Sequence, residues 1–363
     1  MKRFAKLITL ILVVAIIMTL GISGCKKEEV PKELTVYVWE GYLTQELEEE
    51  FEKETGLELN VVFSSDNDTM ITLLKAGGTA DLIMPTQNQV NRLYEDDLAQ
   101  PLDLDKIPNY SNISDSFKDQ EWSMWDGTKM GAGDTYVIPY VFGTSGLVVN
   151  TDKYSGSVEG LGWDILFDPE LQGRVSSRNS AESIMICLDL LGIPRQDLID
   201  DSDATLEAAR DKVLDLKDNV LKFYETGAEL LDLLKNEEVW VSHIWDGGAR
   251  KLAAENDKFV YVLPETGGLG WTDTFMIPES AANPEGAHML IDFMLKKEVA
   301  AQITSAGGYT TTVKGSIDMA EGIDKGLYQF SDTEISELVW QLNFPQEVVD
   351  AYTSFWEEIS TVQ

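Results

Sequence analysis

From residue 34 onward, strand signals and helix signals alternate, and this alternation restricts the fold more than any single motif. Leu34-Thr-Val-Tyr-Val-Trp39 is a run of β-formers with the period of a strand. Leu43, Leu47 and Phe51 then recur every four residues among acids, and Gly56 follows, the pattern of an amphipathic helix with a glycine stop. Leu57, Leu59, Val61 and Phe63 alternate as a second strand. Asp68 is placed to cap a helix reaching about Ala76, and Ala80 to Met84 is a short apolar strand closed by Pro85. Repeated strand and helix imply an α/β fold with a largely parallel sheet.

Two stretches interrupt the rhythm. Tyr136-Val-Ile-Pro-Tyr-Val-Phe142 is strand-like, Gly143-Thr-Ser-Gly146 marks a break, and Leu147-Val-Val-Asn150 opens new structure. Pro264 to Gly270 is glycine-rich and leads into Trp271-Thr-Asp-Thr-Phe-Met-Ile277. Each is expected to be a place where the chain crosses between two α/β lobes. Helices are expected at about 204–216 and 228–235, and a single amphipathic helix at 283–302. Two lobes with two crossings make a hinged cleft, and ligands of such sheets sit outside the carboxyl ends of the strands. The expected boundaries are 34–143 with 273–317 for one lobe and 144–272 with 318–363 for the other.

The N-terminus argues for export. Met1 to Lys6 is basic, Leu7 to Leu20 is almost wholly apolar, and Ile22-Ser-Gly-Cys25 follows. This is the layout of a secretory leader. A bulky residue three places before a Cys, with small residues between, resembles the lipobox of bacterial lipoproteins. That resemblance implies a leader at 1–24, lipid on Cys25, and a linker to residue 33. The apolar run is shorter than the roughly 20 residues a spanning helix needs. Apolar residues make up 44% of the chain, enough to pack a core. The other cysteine, Cys187, sits in the apolar run Ile184-Met-Ile-Cys-Leu188 and reads as a small buried hydrophobe.

With 28 basic and 63 acidic residues the net charge is −35. Such a body repels nucleic acid and draws in cations. Only two histidines occur, His243 and His288, and no zinc-type spacing, nucleophile elbow or phosphate loop is present. No catalytic residue, metal site or cofactor is therefore expected. Paired carboxylates for glycoside hydrolysis would have no local signal, and a surface hydrolase is the remote alternative.

The recurring chemistry is an aromatic beside an acid at the end of an apolar run: Trp39-Glu40, Trp245-Asp246 and Trp271-Thr-Asp273, with Tyr42 and Tyr309 in similar settings. Aromatic faces attract cations, and carboxylates add charged hydrogen bonds. The motifs at the strand ends contain almost no Lys or Arg, which disfavours an anionic ligand.

At this point the chain, from Leu34 to about Gln341, resembles the spermidine/putrescine-binding proteins of polyamine ABC transporters, among the type II extracellular solute-binding proteins. The residues carrying the resemblance are Leu34-Thr-Val-Tyr-Val-Trp-Glu-Gly-Tyr42, Phe51-Glu-Lys-Glu-Thr-Gly56, Asp81-Leu-Ile-Met-Pro85, Ile138-Pro-Tyr-Val-Phe-Gly143, Ile244-Trp245, Trp271-Thr-Asp273, Gly308-Tyr309 and Trp340-Gln341. The resemblance implies a monomeric, extracytoplasmic receptor that hands a polyamine to permease subunits. It implies aromatic walls from Trp39, Tyr42, Trp245, Trp271 and Tyr309. Asp273 and Glu182 would pair with amines, and Gln341 would lie near one ligand end.

This chain departs from the family pattern in three places. Asn179 stands where an Asp is common, Glu40 and Gly41 replace a Thr and a Glu, and a Tyr is missing near Asn88. Asp246 could restore the lost charge. Aromatic cages also suit choline, betaine or thiamine-like cations, and a sensor subunit would use the same hinge closure. The loop at 122–134 is expected either to cover the cleft with Trp125 or to pack its own tryptophans at the surface.

Overall fold

The computed structural model describes residues 32–361, apart from 65, 265–266, 332–334 and 336–337. The leader and Cys25 lie outside the described residues. No helix among the described residues is long and apolar enough to cross a membrane.

The strands are β1 (Glu33–Trp39), β2 (Glu58–Ser64), β3 (Leu82–Ile83), β4 (Met124–Trp125), β5 (Asp134–Thr135), β6 (Val137–Asn150), β7 (Val175–Arg178), β8 (Val220–Tyr224), β9 (Val241–Trp245), β10 (Phe259–Val262), β11 (Leu269–Met276), β12 (Thr310–Thr311) and β13 (Val339–Trp340). All but the β4–β5 pair join one mixed sheet in the order β2-β1-β3-β11-β6-β9-β7-β8. At one end β1, β2 and β3 run parallel. At the other end β7, β8 and β9 run parallel. Between them β6 and β11 are antiparallel and carry the chain from one lobe to the other.

The expected break at Gly143–Gly146 is corrected. β6 runs unbroken for 14 residues, all buried. Its first half packs Ile138, Tyr140 and Phe142 into one core cluster, and its second half packs Leu147 and Val149 into another. The glycines are there because neighbouring groups press on the strand, as the cleft shows below. The structure also carries a third crossing. Phe330 and Ile335, which the expected boundary at 317/318 assigns to the second lobe, pack with the first cluster, whereas Phe344, Val348 and Phe355 pack with the second. The passage is β13, which pairs with β11 at Leu269 and Gly270.

Local signals explain most helices. Gln45–Thr55 buries Leu47 and Phe51, is capped by Thr44, and stops where Gly56 adopts a left-handed conformation (φ 74°) that other residues resist. The next helix, Asn67–Lys75, is capped by Asp66 and not by Asp68. Asp68 instead pairs with Arg92 at 2.6 Å. The tracts expected at 204–216 and 228–235 are Ser202–Asn219 and Gly227–Lys235. The expected helix at 283–302 is two, Pro284–Met294 and Lys297–Gly307, separated where Lys296 becomes extended. The bend lets Leu290, Ile291 and Met294 share one core with Val299, Ala300 and Ile303.

Trp125 does not act as a cover. It stacks on Tyr94 with ring centroids 5.1 Å apart, and the Tyr94 hydroxyl donates to the Trp122 carbonyl at 2.8 Å. The 122–134 segment folds as the small β4–β5 hairpin and packs its own tryptophans. Cys187 is fully buried, and burial pushes its thiol up to about 12.

Candidate ligand-binding cleft

The crossing strands place the candidate residues. Trp271 and Asp273 are two apart on β11, so they share one face. Gly143 of β6 is paired with Trp271. A methyl group at Gly143 would lie 2.6 Å from both the Trp271 ring and Asp246 Oδ1. Only a glycine lets an indole from β11 and a carboxylate from the second lobe converge there.

Two short bonds from separate parts of the chain hold Asp273. Tyr42, in the turn after β1, donates its hydroxyl to Oδ2 at 2.5 Å. Thr86, just beyond β3, donates to Oδ1 at 2.7 Å. Asn67, at the start of a helix, holds that threonine by accepting from its N–H at 3.0 Å and donating to its hydroxyl at 3.1 Å. Burial pushes the Asp273 carboxyl up to about 6. The Tyr42 and Thr86 bonds oppose the shift, as do the nearby indole of Trp39, whose Nε1 finds no hydrogen-bond partner of its own, and the charge of Arg178.

The rings form a continuous edge-to-face series, the arrangement aromatic quadrupoles prefer. Tyr42 meets Tyr140 at 6.3 Å and Tyr309 at 5.8 Å, and Tyr309 meets Trp271 at 5.5 Å. Tyr309 belongs to the first lobe, yet its ring lies against Gly247 of the second, where a methyl group would approach within 2.2 Å. The two sides are closed on one another.

A second set of polar groups spans the lobes. Asn88 donates to Gln341 Oε1 at 2.7 Å, and Gln341 donates to Glu182. Ser145 of β6 also donates to Glu182, at 3.2 Å. Glu182 stands in the first turn of the helix Ala181–Leu191, whose N-cap is Ser180. His243 Nε2 lies 3.4 Å from the same carboxylate. Burial keeps the imidazole pKa low although Glu182 opposes it.

Asp246 opens the helix Asp246–Glu255 and is fully buried. Burial raises its carboxyl, while Arg250, 3.1 Å away, pulls it back. Trp245 carries the guanidinium of Arg178 on its face at 4.3 Å. Glu40 is exposed, and its charge opposes the burial that lowers the ammonium pKa of Lys251. Asn179 is exposed and donates to Glu225 at 2.8 Å, which takes it away from the buried group.

Three cations therefore stand where the sequence motifs suggested almost none: Arg178 by Glu182, Arg250 by Asp246 and Lys251 by Glu40. Asp273 is the buried acid among these that has no ion pair, although the charge of Arg178 acts on it from farther away. No Lys or Arg lies within ion-pair distance of it among the described residues. Among the described residues no cluster of His, Cys, Asp or Glu is placed to hold a metal.

A family model described as bacterial extracellular solute-binding protein matches residues 46–329. The chain belongs to this family. As a solute-binding protein it is similar to spermidine/putrescine-binding periplasmic protein 1 of Haemophilus influenzae, 28% identical over 376 residues and 100% of both chains. Among solved structures it is similar to a putative spermidine/putrescine ABC transporter protein of Listeria monocytogenes. That match has a TM-score of 0.80 and 29% identity, covering 92% of this chain and 100% of the other. It is also similar to a spermidine/putrescine transporter substrate-binding protein of Streptococcus pneumoniae, with a TM-score of 0.73 and 27% identity, covering 90% and 98%. The two-lobed fold of this solute-binding protein is the one expected from its alternating elements. Members of the family serve transport by binding solutes and not by catalysis.

Several cleft residues of this solute-binding protein have no signal in the chain. Thr86 and Arg178 are ordinary residues at strand ends and Ser145 one inside β6, and only the packing of separate strands brings them to Asp273, Glu182 and Trp245. Gln87 is similar: it accepts from the Thr272 N–H at 2.7 Å and donates to the Gln341 carbonyl at 3.3 Å.

Proposed function

We propose that this chain binds a polyamine, putrescine or spermidine, between its lobes outside the cytoplasm and delivers it to the permease of an ABC importer, with no reaction. The observation that carries this reading is Asp273. It is a buried carboxylate held by Tyr42 and Thr86, without an ion pair among the described residues, beside a series of aromatic rings. An ammonium group can supply the missing charge there, and ring faces supply the desolvated cation contacts. The names of the relatives agree with this ligand class.

The reading includes attachment to the membrane. The Ile22-Ser-Gly-Cys25 motif supports lipid on Cys25 after removal of the leader, with the body working as a monomer in front of its permease.

Calorimetry on the protein from residue 26 tests the ligand. Putrescine or spermidine should bind with 1:1 stoichiometry and be recovered unchanged, and Asp273→Asn should abolish most of the affinity. Mild loss in that variant with tight binding of choline or betaine would replace the polyamine with a quaternary cation, which has no N–H to donate. For the anchor, the full chain expressed in a bacterium should incorporate labelled palmitate, and Cys25→Ser should not.

A further inference from the structure

Arg178 is the cation of the cleft that is both partly exposed and stacked on an aromatic face of a candidate ligand-binding residue. It ends β7, and Trp245 ends the neighbouring parallel strand β9, so both side chains emerge at the same edge. The guanidinium lies over the Trp245 ring at 4.3 Å, and its Nη1 is 3.9 Å from Glu182 Oε2. It makes no side-chain hydrogen bond among the described residues, and its side chain remains 23% exposed. Arg250 differs: it is buried, lies 3.1 Å from Asp246, and is covered by the Tyr328 ring at 4.5 Å. A cation over an aromatic face and beside a carboxylate is what one ammonium group of a polyamine would itself require.

We infer that Arg178 occupies an ammonium place of this cleft and sets the charge and length of polyamine the protein accepts. This inference rests on the polyamine reading above. A short diamine anchored at Asp273 leaves Arg178 where it is. A longer triamine has to displace the guanidinium from Trp245 and Glu182, and loses affinity by what that displacement costs. The planar guanidinium stacks on an indole in a way a lysine ammonium cannot, so charge and stacking can be separated by substitution.

The test is calorimetry with putrescine and spermidine on the wild type, Arg178→Gln and Arg178→Lys. Wild type should bind putrescine more tightly than spermidine. In Arg178→Gln the ratio should move towards spermidine on the order of tenfold, with little change for putrescine. Arg178→Lys, with charge but no planar face, should move it part of the way. That variant gives the same readout should Arg178→Gln fail to fold. A ratio within twofold of wild type in the variants, or an equal loss for both amines, overturns the role of Arg178 while leaving polyamine binding intact. Absence of binding by either amine to wild type overturns the polyamine reading and this inference together.

Discussion

The hydroxyl of Tyr42 and the carboxylate of Asp273 meet at 2.5 Å across 231 residues of chain. One comes from the turn after the first strand and the other from the strand that joins the lobes. The bond orients a buried cleft carboxylate that has no ion pair among the described residues, so its ionisation bears on both binding and stability.

Burial holds the Asp273 carboxyl near 6 in the native state, against about 4 in an unfolded chain. Alkylamines stay protonated over this range, so polyamine affinity should fall as pH drops below about 6, with a proton released on binding near that pH. Because the native value is raised, this group's contribution to apo stability is fully present below about pH 4 and is lost as pH rises through 6, up to about 3 kcal/mol. Titration calorimetry in buffers of different ionisation enthalpy and melting curves from pH 4 to 8 read both effects. Asp273→Asn should flatten both. A release of protons that persists in that variant would assign the titration to another group.

The Tyr309 ring leaves no room for a side chain at Gly247. Gly247→Ala should destabilise the closed protein by roughly 1–3 kcal/mol, the usual range for overpacking, and weaken ligand binding on the order of tenfold. Thermal melting and calorimetry measure the two. Unchanged affinity would mean that Tyr309 turns aside without taking part in closure.

Asp66 caps its helix from outside the cleft, accepting from the Thr69 N–H at 2.7 Å and the Thr69 hydroxyl at 2.9 Å. Asp66→Ala should cost about 1 kcal/mol of stability in chemical denaturation and leave ligand affinity at the wild-type value.

Cys187 is the only cysteine in protein that starts after Cys25. Buried, with its thiol pushed up to about 12, it should resist iodoacetamide at pH 8 for hours in native protein and react at once in denaturant. Mass spectrometry reads the difference. Rapid modification of native protein would show that the second core opens frequently.

The α/β class, the strand at Leu34–Trp39 and the helix ending at Gly56 were legible because they depend on neighbours in sequence: side-chain period, capping and a glycine stop. The aromatic–acid pairs were legible because each lies within three residues, although only Trp39 and Trp245 end their strands, and Trp271 and Asp273 lie inside β11. The single strand through Gly143 was not. Glycines mark turns in sequence, and only the approach of Trp271 and Asp246 to Gly143, and of Tyr261 to Gly146, explains why they stand in a strand. Nor were the partners of each acid. Asp273 has no ion pair among the described residues and Glu182 has Arg178 at 3.9 Å because β3, β6, β7, β9 and β11 pack side by side, and contacts between segments this far apart leave no local trace in the order of residues.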